Sequence, residues 1–308
     1  MQSLSKRFRD TPTRIIVDYI PSCRRSILLA GTVRSGTTWT SNVINYRNEY
    51  RYMFEPFHPD VERCRIFRPR QYLTPENRDA ALLAQARAVF SGRIRHARVD
   101  QFNKRVFASK QLIKVIHANL MLSWVHAHFP AMPIVLLVRH PCAVASSLLK
   151  LGWDPALKYL LCQETLLNGE LRPWRKQIEA ARGVFEEHVF LWCIETYVAL
   201  KKVRRGEVHL AFYENLCQHP EEQIAQMFGF LAKPYDDRVL ASVRQPSPLS
   251  RADSPIITGG TLVGSWRASI SAPLLRQAME TAGLFGLDRI YGSDPLPDAE
   301  AAFTMMGS

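Results

Sequence analysis

One stretch limits the fold more than any other: "SILLAGTVRSGTTWTSNVINY", residues 26–46. The apolar run from Ser26 to Gly31 ends in glycine and reads as a buried strand. Trp39, Val43 and Tyr46 then recur at helical spacing. Strand, glycine-rich turn and helix in direct succession is the order of a phosphate-binding loop, with Gly31 and Gly36 five residues apart. A nucleotide triphosphatase needs a lysine directly after the second glycine. Thr37 stands there instead, and the only cation within the loop is Arg34.

Four further strand candidates follow: "YRYMFE" (50–55), "KQLIKVI" (110–116), "PIVLLVR" (133–139) and "EVHLAFYE" (207–214). Helical patterns lie between them. "PENRDAALLAQARAVF" (75–90) opens with proline at a helix-start position, and "ANLMLSWVHAHF" follows the third strand. "CAVASSLLKL" runs on from Pro141, a long helical region extends from about Trp174 to Arg205, and "HPEEQIAQMFGFL" follows the fifth strand. "PIVLLVR" is apolar on both faces, as in a sheet covered by helices on both sides. The alternation predicts an α/β chain: a P-loop-type three-layer sandwich around a mostly parallel sheet of about five strands. Residues 1–308 read as one domain. Residues 245–271, rich in Pro, Gly and Ser, read as a lid or binding loop, and the acidic end 293–308 as a loose tail.

Composition bounds the partners. Over 308 residues, 47% are hydrophobic and 22% charged, enough to bury a core, and the formal net charge is +12. That excess suits an anionic partner. The six cysteines, Cys23, Cys64, Cys142, Cys162, Cys193 and Cys217, contain no C-x-x-C pair and read as reduced thiols rather than a metal cluster or disulfide framework. The N-terminal "MQSLSKRFRDTPTRIIVDYI" has no apolar leader region, and no run approaches the roughly 18 apolar residues that span a bilayer. The expectation is a cytoplasmic protein, with peripheral membrane contact through basic patches left open.

The loop chemistry is specific. Residues 34–38, "RSGTT", supply backbone N–H groups and three hydroxyls at a helix start, where the helix dipole favours an anion. No apolar strand ends in an acid that would serve as a magnesium-holding partner. The loop therefore suits an anion handled without a metal, with Arg34 as its cation. A purely structural strand-to-helix turn is the plain alternative. A second constellation is "VLLVRHPCAVASSLLKLG": Arg139 closes a buried strand, and Ser147 lies eight residues on, about two turns into the next helix. In open parallel sheets ligands bind at the carboxyl edge, so Arg139 and Ser147 would clamp a second phosphate there. Pairing of Arg139 with a carboxylate, and close packing at Ser146 or Ser147, are the plain alternatives.

Together these motifs resemble the sulfotransferases that use 3′-phosphoadenosine 5′-phosphosulfate (PAPS). "RSGTT" matches that family's 5′-phosphosulfate loop, and Arg139 with Ser147 its 3′-phosphate element. "FEPF" (54–57) resembles the second-strand region of the carbohydrate and Golgi-type branch, and "HLAFYENLCQHPEE" the late strand and helix. The resemblance covers about 26–232. Cytosolic members carry a lysine where Arg34 stands, and their "RKG-x-x-G-x-W" is reduced here to "GGTLVGSW", 259–266. The resemblance implies PAPS as co-substrate, no metal, and a donor site formed by Arg34, Ser35, Gly36, Thr37, Thr38, Trp39, Arg139, Ser147 and Trp266, with Arg267 replacing the missing basic pair. It implies sulfuryl transfer to a hydroxyl or amine of a carbohydrate, lipid-linked or small-metabolite acceptor, with no nucleic acid as partner. Glu55, at the end of the second strand, is the candidate base; His117, after the third strand at the same edge, is its rival; Lys114 is placed to contact donor or acceptor.

Weaker signals remain. Eight Lys/Arg and one acid fall between Arg87 and Lys114, read as a solvated basic face or a groove for an anionic acceptor. Trp153, Trp174 and Trp192 are candidates for the acceptor pocket or the core. Two other classes stay open: an atypical P-loop kinase, which would need Mg²⁺, and a basic nucleic-acid-binding protein, which would show steep salt dependence.

Overall fold

The computed structural model describes residues 17–18, 22–250 and 252–307. Apart from the backbone of Val17 and Asp18, the N-terminal segment on which the no-leader expectation rests lies outside the described residues.

Five strands form one sheet: β1 Ser26–Gly31, β2 Arg51–Phe54, β3 Gln111–Val115, β4 Ile134–Val138 and β5 His209–Phe212. All neighbours are parallel, in the order β2-β3-β1-β4-β5. Every residue of β1 to β4 is buried. Successive side chains alternate between faces, so β1 divides cleanly. Leu28 and Ala30 join one core with Ile113, Val115 and Leu136, while Ile27 and Leu29 join a second with Leu112, Val135 and Leu137. That is why these strands are apolar throughout instead of alternating.

Helices cover both faces: α1 Thr37–Ile44, α2 Ala80–Phe90, α3 Leu122–His128, α4 Pro141–Lys150, α5 Val184–Lys202, α6 Tyr213–Gln218, α7 Pro220–Phe230, α8 Ala272–Leu284 and α9 Ala299–Met305. α1 and α7 pack on one face, and α2 to α5 with α8 and α9 on the other. β3 and β4 are consecutive in the chain yet flank β1 on opposite sides. The carboxyl end of β1 is therefore the point where the winding reverses, the place where such sheets open a ligand crevice.

Some elements differ from the sequence reading. α2 starts at Ala80, because the Asp79 carboxylate accepts from the N–H groups of Ala81 and Leu82 at 2.9 Å each. The helical region from Trp174 to Arg205 is two helices, Arg175–Ala180 and α5, separated at Gly183 with φ 88°. The stretch 245–271 carries a short helix, Pro255–Thr258, and a 3-10 turn, Ser265–Ala268. The end of the chain is not a loose tail over 299–305: α9 forms there, capped by Asp298, with Ala302 buried in the core. Its acids face outward and conceal a small apolar stripe that anchors it.

Candidate active site

The loop between β1 and α1 is shaped by its glycines. A Cβ on Gly31 would lie 2.7 Å from the Leu137 carbonyl oxygen of the neighbouring strand. Gly36 has φ 99°, and a Cβ there would stand 2.6 Å from Cδ2 of Tyr213. Only glycine fits both the backbone angle and the space. The Ser35 hydroxyl donates to the Thr32 carbonyl at 2.7 Å and closes the turn. α1 then begins at Gly36 with no side-chain cap. Its first N–H groups, at Thr37 and Thr38, open onto a cleft of about 360 Å³ and suit an anion.

The second constellation meets the loop directly. Arg139 and Ser147 line the same cleft as Arg34, Thr37 and Thr38. The Arg34 Nε donates to the Ser147 hydroxyl at 2.9 Å, and Arg139 Nη1 donates to the Arg34 carbonyl at 3.3 Å. Arg34 holds φ 66°, a left-handed conformation that a non-glycine residue adopts only when its surroundings impose it. The Arg139 guanidinium lies 4.0 Å from the centre of the Tyr213 ring. Its Nε is buried without a hydrogen-bond partner. A cation fixed in place and lining the cleft is a fitting contact for an incoming anion.

Glu55 follows β2 with φ 48° and is buried. Lys114 Nζ lies 2.5 Å from its Oε1, and Arg98 Nη2 lies 3.2 Å from its Oε2. Burial alone would push the Glu55 pKa up; Lys114 and then Arg98 outweigh it, and the carboxyl titrates below its ordinary range. Lys114, itself buried in β3, is pushed down by burial and pulled back by Glu55. Beyond Glu55 lies a second cavity of about 380 Å³ with mostly apolar walls, including Phe54, Val144, Leu148 and Leu191. Val33, Glu55, Ile116, Trp153 and Leu249 line both spaces. His117 lines the second cavity alone. Its Nδ1 is buried without a partner, and burial, reinforced by Arg70, holds its pKa far below 6.5, so the ring is neutral.

With this geometry in view, comparison with known proteins is decisive on one point. The sulfotransferase family model matches residues 26–237. This chain belongs to the sulfotransferase family. No curated protein matches it. Solved structures similar to this sulfotransferase include the sulfotransferase domain from the curacin biosynthetic pathway, at 16% identity over 87% of this chain and 97% of that one, with a TM-score of 0.47. The sulfotransferase domain of the Synechococcus PCC 7002 olefin synthase is 16% identical over 89% and 98%, with a TM-score of 0.44. A mouse sulfotransferase complexed with PAP is 15% identical over 86% and 85%, with a TM-score of 0.42.

Other expected site residues of the sulfotransferase fall in different places. Trp39 lines the cleft, but its indole N–H donates to the Val243 carbonyl at 3.0 Å. Trp266 also lines the cleft and stacks on His140 with ring centres 4.3 Å apart. Arg267 does not enter the cleft: it binds the Ser293 carbonyl at 2.8 Å and the Asp294 carboxylate at 3.1 Å, half exposed. These partners, a backbone carbonyl and a carboxylate 26 and 27 residues downstream, draw it the other way. Leu249, Ser254, Pro255, Ile256 and Leu262 of the stretch 245–271 form one wall of the cleft. Trp153 and Trp192 line the second cavity, while Trp174 packs on Tyr197 and Phe285.

The basic run 87–114 does not form one face. Lys114 is buried on Glu55, Arg98 bridges Glu55 and Asp60, and Lys110 reaches Glu49. The sequence reading missed Arg98, Tyr213 and the buried pair Arg70–Glu195. Tyr213 lay within "FYE", and Arg98 within the basic run; nothing in their spacing singled them out. Among the described residues, no cluster of three or more His, Cys, Asp or Glu side chains is placed to hold a metal, and no helix is long and apolar enough to cross a membrane.

Proposed function

We propose that this sulfotransferase moves a sulfuryl group from PAPS to the hydroxyl of a compact, largely apolar acceptor. One observation carries the reading: an anion cleft and an apolar cavity meet at Glu55. When bound, the donor supplies a sulfuryl group on a good leaving phosphate. The N–H groups of Thr37 and Thr38, with Ser35, Gly36 and Arg34, would hold that phosphate as charge grows on its bridging oxygen. Arg139 and Ser147 would hold the 3′-phosphate, and Trp39 and Trp266 would flank the nucleotide. The mostly apolar walls and limited volume of the second cavity favour a small acceptor over a long glycan.

In the transfer, the acceptor oxygen forms a bond to sulfur, the bond from sulfur to the bridging oxygen breaks, and the hydroxyl proton leaves to a base. Glu55 is the group we assign to that proton, because it touches both spaces and is ionised at neutral pH. Its contacts with Lys114 and Arg98 weaken its basicity while fixing its position. A second reading has its own support: His117 is neutral, faces the acceptor cavity, and has an unpartnered Nδ1. The test of the function is transfer of labelled sulfate from PAPS to simple alcohols and phenols in EDTA. Transfer is expected to survive chelation; ATP hydrolysis with an absolute Mg²⁺ requirement would instead establish the kinase alternative.

A further inference from the structure

Four residues that line the acceptor cavity each carry a buried polar atom without an aligned hydrogen bond: Arg70 Nε, Glu195 Oε1, His188 Nδ1 and His117 Nδ1. Buried polar groups are normally satisfied, so several around one cavity ask for an explanation. Arg70 Nε and Glu195 Oε1 are 2.7 Å apart, close enough to pair but misdirected for a hydrogen bond. Arg70 carries φ 55°, a strained placement, and its carbonyl is tied to the Gln163 amide at 2.9 Å. Glu195 and His188 lie seven residues apart on α5, two turns along one face. The His188 Nε2 is 3.0 Å from the Trp153 carbonyl, so Nε2 carries the proton and Nδ1 is an acceptor. A buried ion pair contributes little stability over an apolar pair of similar size.

Resting on the sulfuryl-transfer reading, we propose that Arg70, Glu195 and His188, with His117, form a polar anchor that selects acceptors bearing a second hydroxyl. The reacting hydroxyl meets Glu55, and the second hydroxyl docks on the anchor. Glu195 Oε1 and His188 Nδ1 both accept, so the matching group is a donor. The two buried carboxylates in the lining already have cations, Arg70 for Glu195 and Lys114 with Arg98 for Glu55, so at those two a neutral O–H fits better than an ammonium. The preferred acceptor is thus a compact apolar diol.

The probes are 2-naphthol and naphthalene-2,6-diol, equal in apolar body and different by one hydroxyl. Each is titrated calorimetrically into the enzyme, with and without adenosine 3′,5′-bisphosphate. The diol is expected to bind about tenfold tighter than the mono-ol, the gain for satisfying buried polar atoms. In Arg70→Met/Glu195→Leu the preference should fall below about threefold while 2-naphthol binds as well or better. His188→Phe should halve the preference or more, and it decides the matter if the double variant no longer folds. Equal affinity in the wild type, no binding of either alcohol, or full preference in a folded variant overturns the anchor. Failure of the bisphosphate to bind counts against sulfuryl transfer, and is read separately from the alcohol titrations.

Discussion

Arg34 Nε donates to Ser147 Oγ at 2.9 Å across 113 residues of sequence. This contact joins the phosphate loop after β1 to the first turns of α4. The two anion elements are thereby one surface. Ser147→Ala removes the acceptor that orients Arg34 and a hydroxyl of the proposed 3′-phosphate site. Adenosine 3′,5′-bisphosphate should bind roughly tenfold or more weakly, the range for a hydrogen bond to a charged group, by calorimetry.

Gly36→Ala tests the shape of the loop. Alanine at φ 99° is strained, and its methyl would meet the Tyr213 ring at 2.6 Å. A loss of about 1–3 kcal/mol in stability is expected from the backbone alone. Tyr213→Ala in the same chain should not restore nucleotide binding, since the angle remains wrong. Thermal unfolding and nucleotide titration check both statements.

Glu55→Gln keeps the shape and removes the charge. It should lower kcat by roughly 10²–10⁴, the usual scale of general base catalysis, with donor affinity changed less than about threefold. It also leaves Lys114 buried without its carboxylate, so stability should drop by about 3 kcal/mol or more. His117→Gln is the comparison: turnover abolished there, with Glu55→Gln active, would move the base to His117.

Glu195 makes a pH prediction. Burial raises its pKa from 4.5 to about 6, against the pull of Arg70. Between those values the folded protein binds more protons than the unfolded chain, so stability falls as pH rises through this window. The stabilisation is full below 4.5 and lost above about 6, a change of about 2 kcal/mol. The difference in unfolding free energy between wild type and Glu195→Gln should show that slope between pH 4 and about 7. A flat difference would contradict a buried, raised Glu195.

Much of this arrangement is legible in the sequence because local pattern dictates it. β4 is apolar on both faces because both faces are covered, and "RSGTT" contains the left-handed glycine that the turn demands. Arg34, Arg139 and Ser147 come together because strand ends and helix starts share the carboxyl edge. What the sequence conceals is set by tertiary pairing. Arg98 and Glu55 are 43 residues apart and meet only through the path of the intervening chain. Arg70 finds Glu195 from a loop, and Arg267 is drawn away by Asp294. α9 is hidden in an acidic stretch, anchored by the small Ala302 with Phe303 and Met305 packed against the core.

The most direct test of the account is the affinity of adenosine 3′,5′-bisphosphate relative to adenosine 5′-phosphate, both measured in EDTA. The Arg139 guanidinium, 4.0 Å from the centre of the Tyr213 ring and lining the cleft, is the group we propose for the 3′-phosphate. A charge-assisted contact of this kind is worth on the order of 1.5–3 kcal/mol, so the bisphosphate should bind roughly tenfold or more tightly. Arg139→Ala should erase most of that difference. Equal affinity for the two nucleotides in the wild-type enzyme, or binding that appears only with Mg²⁺, would contradict the account.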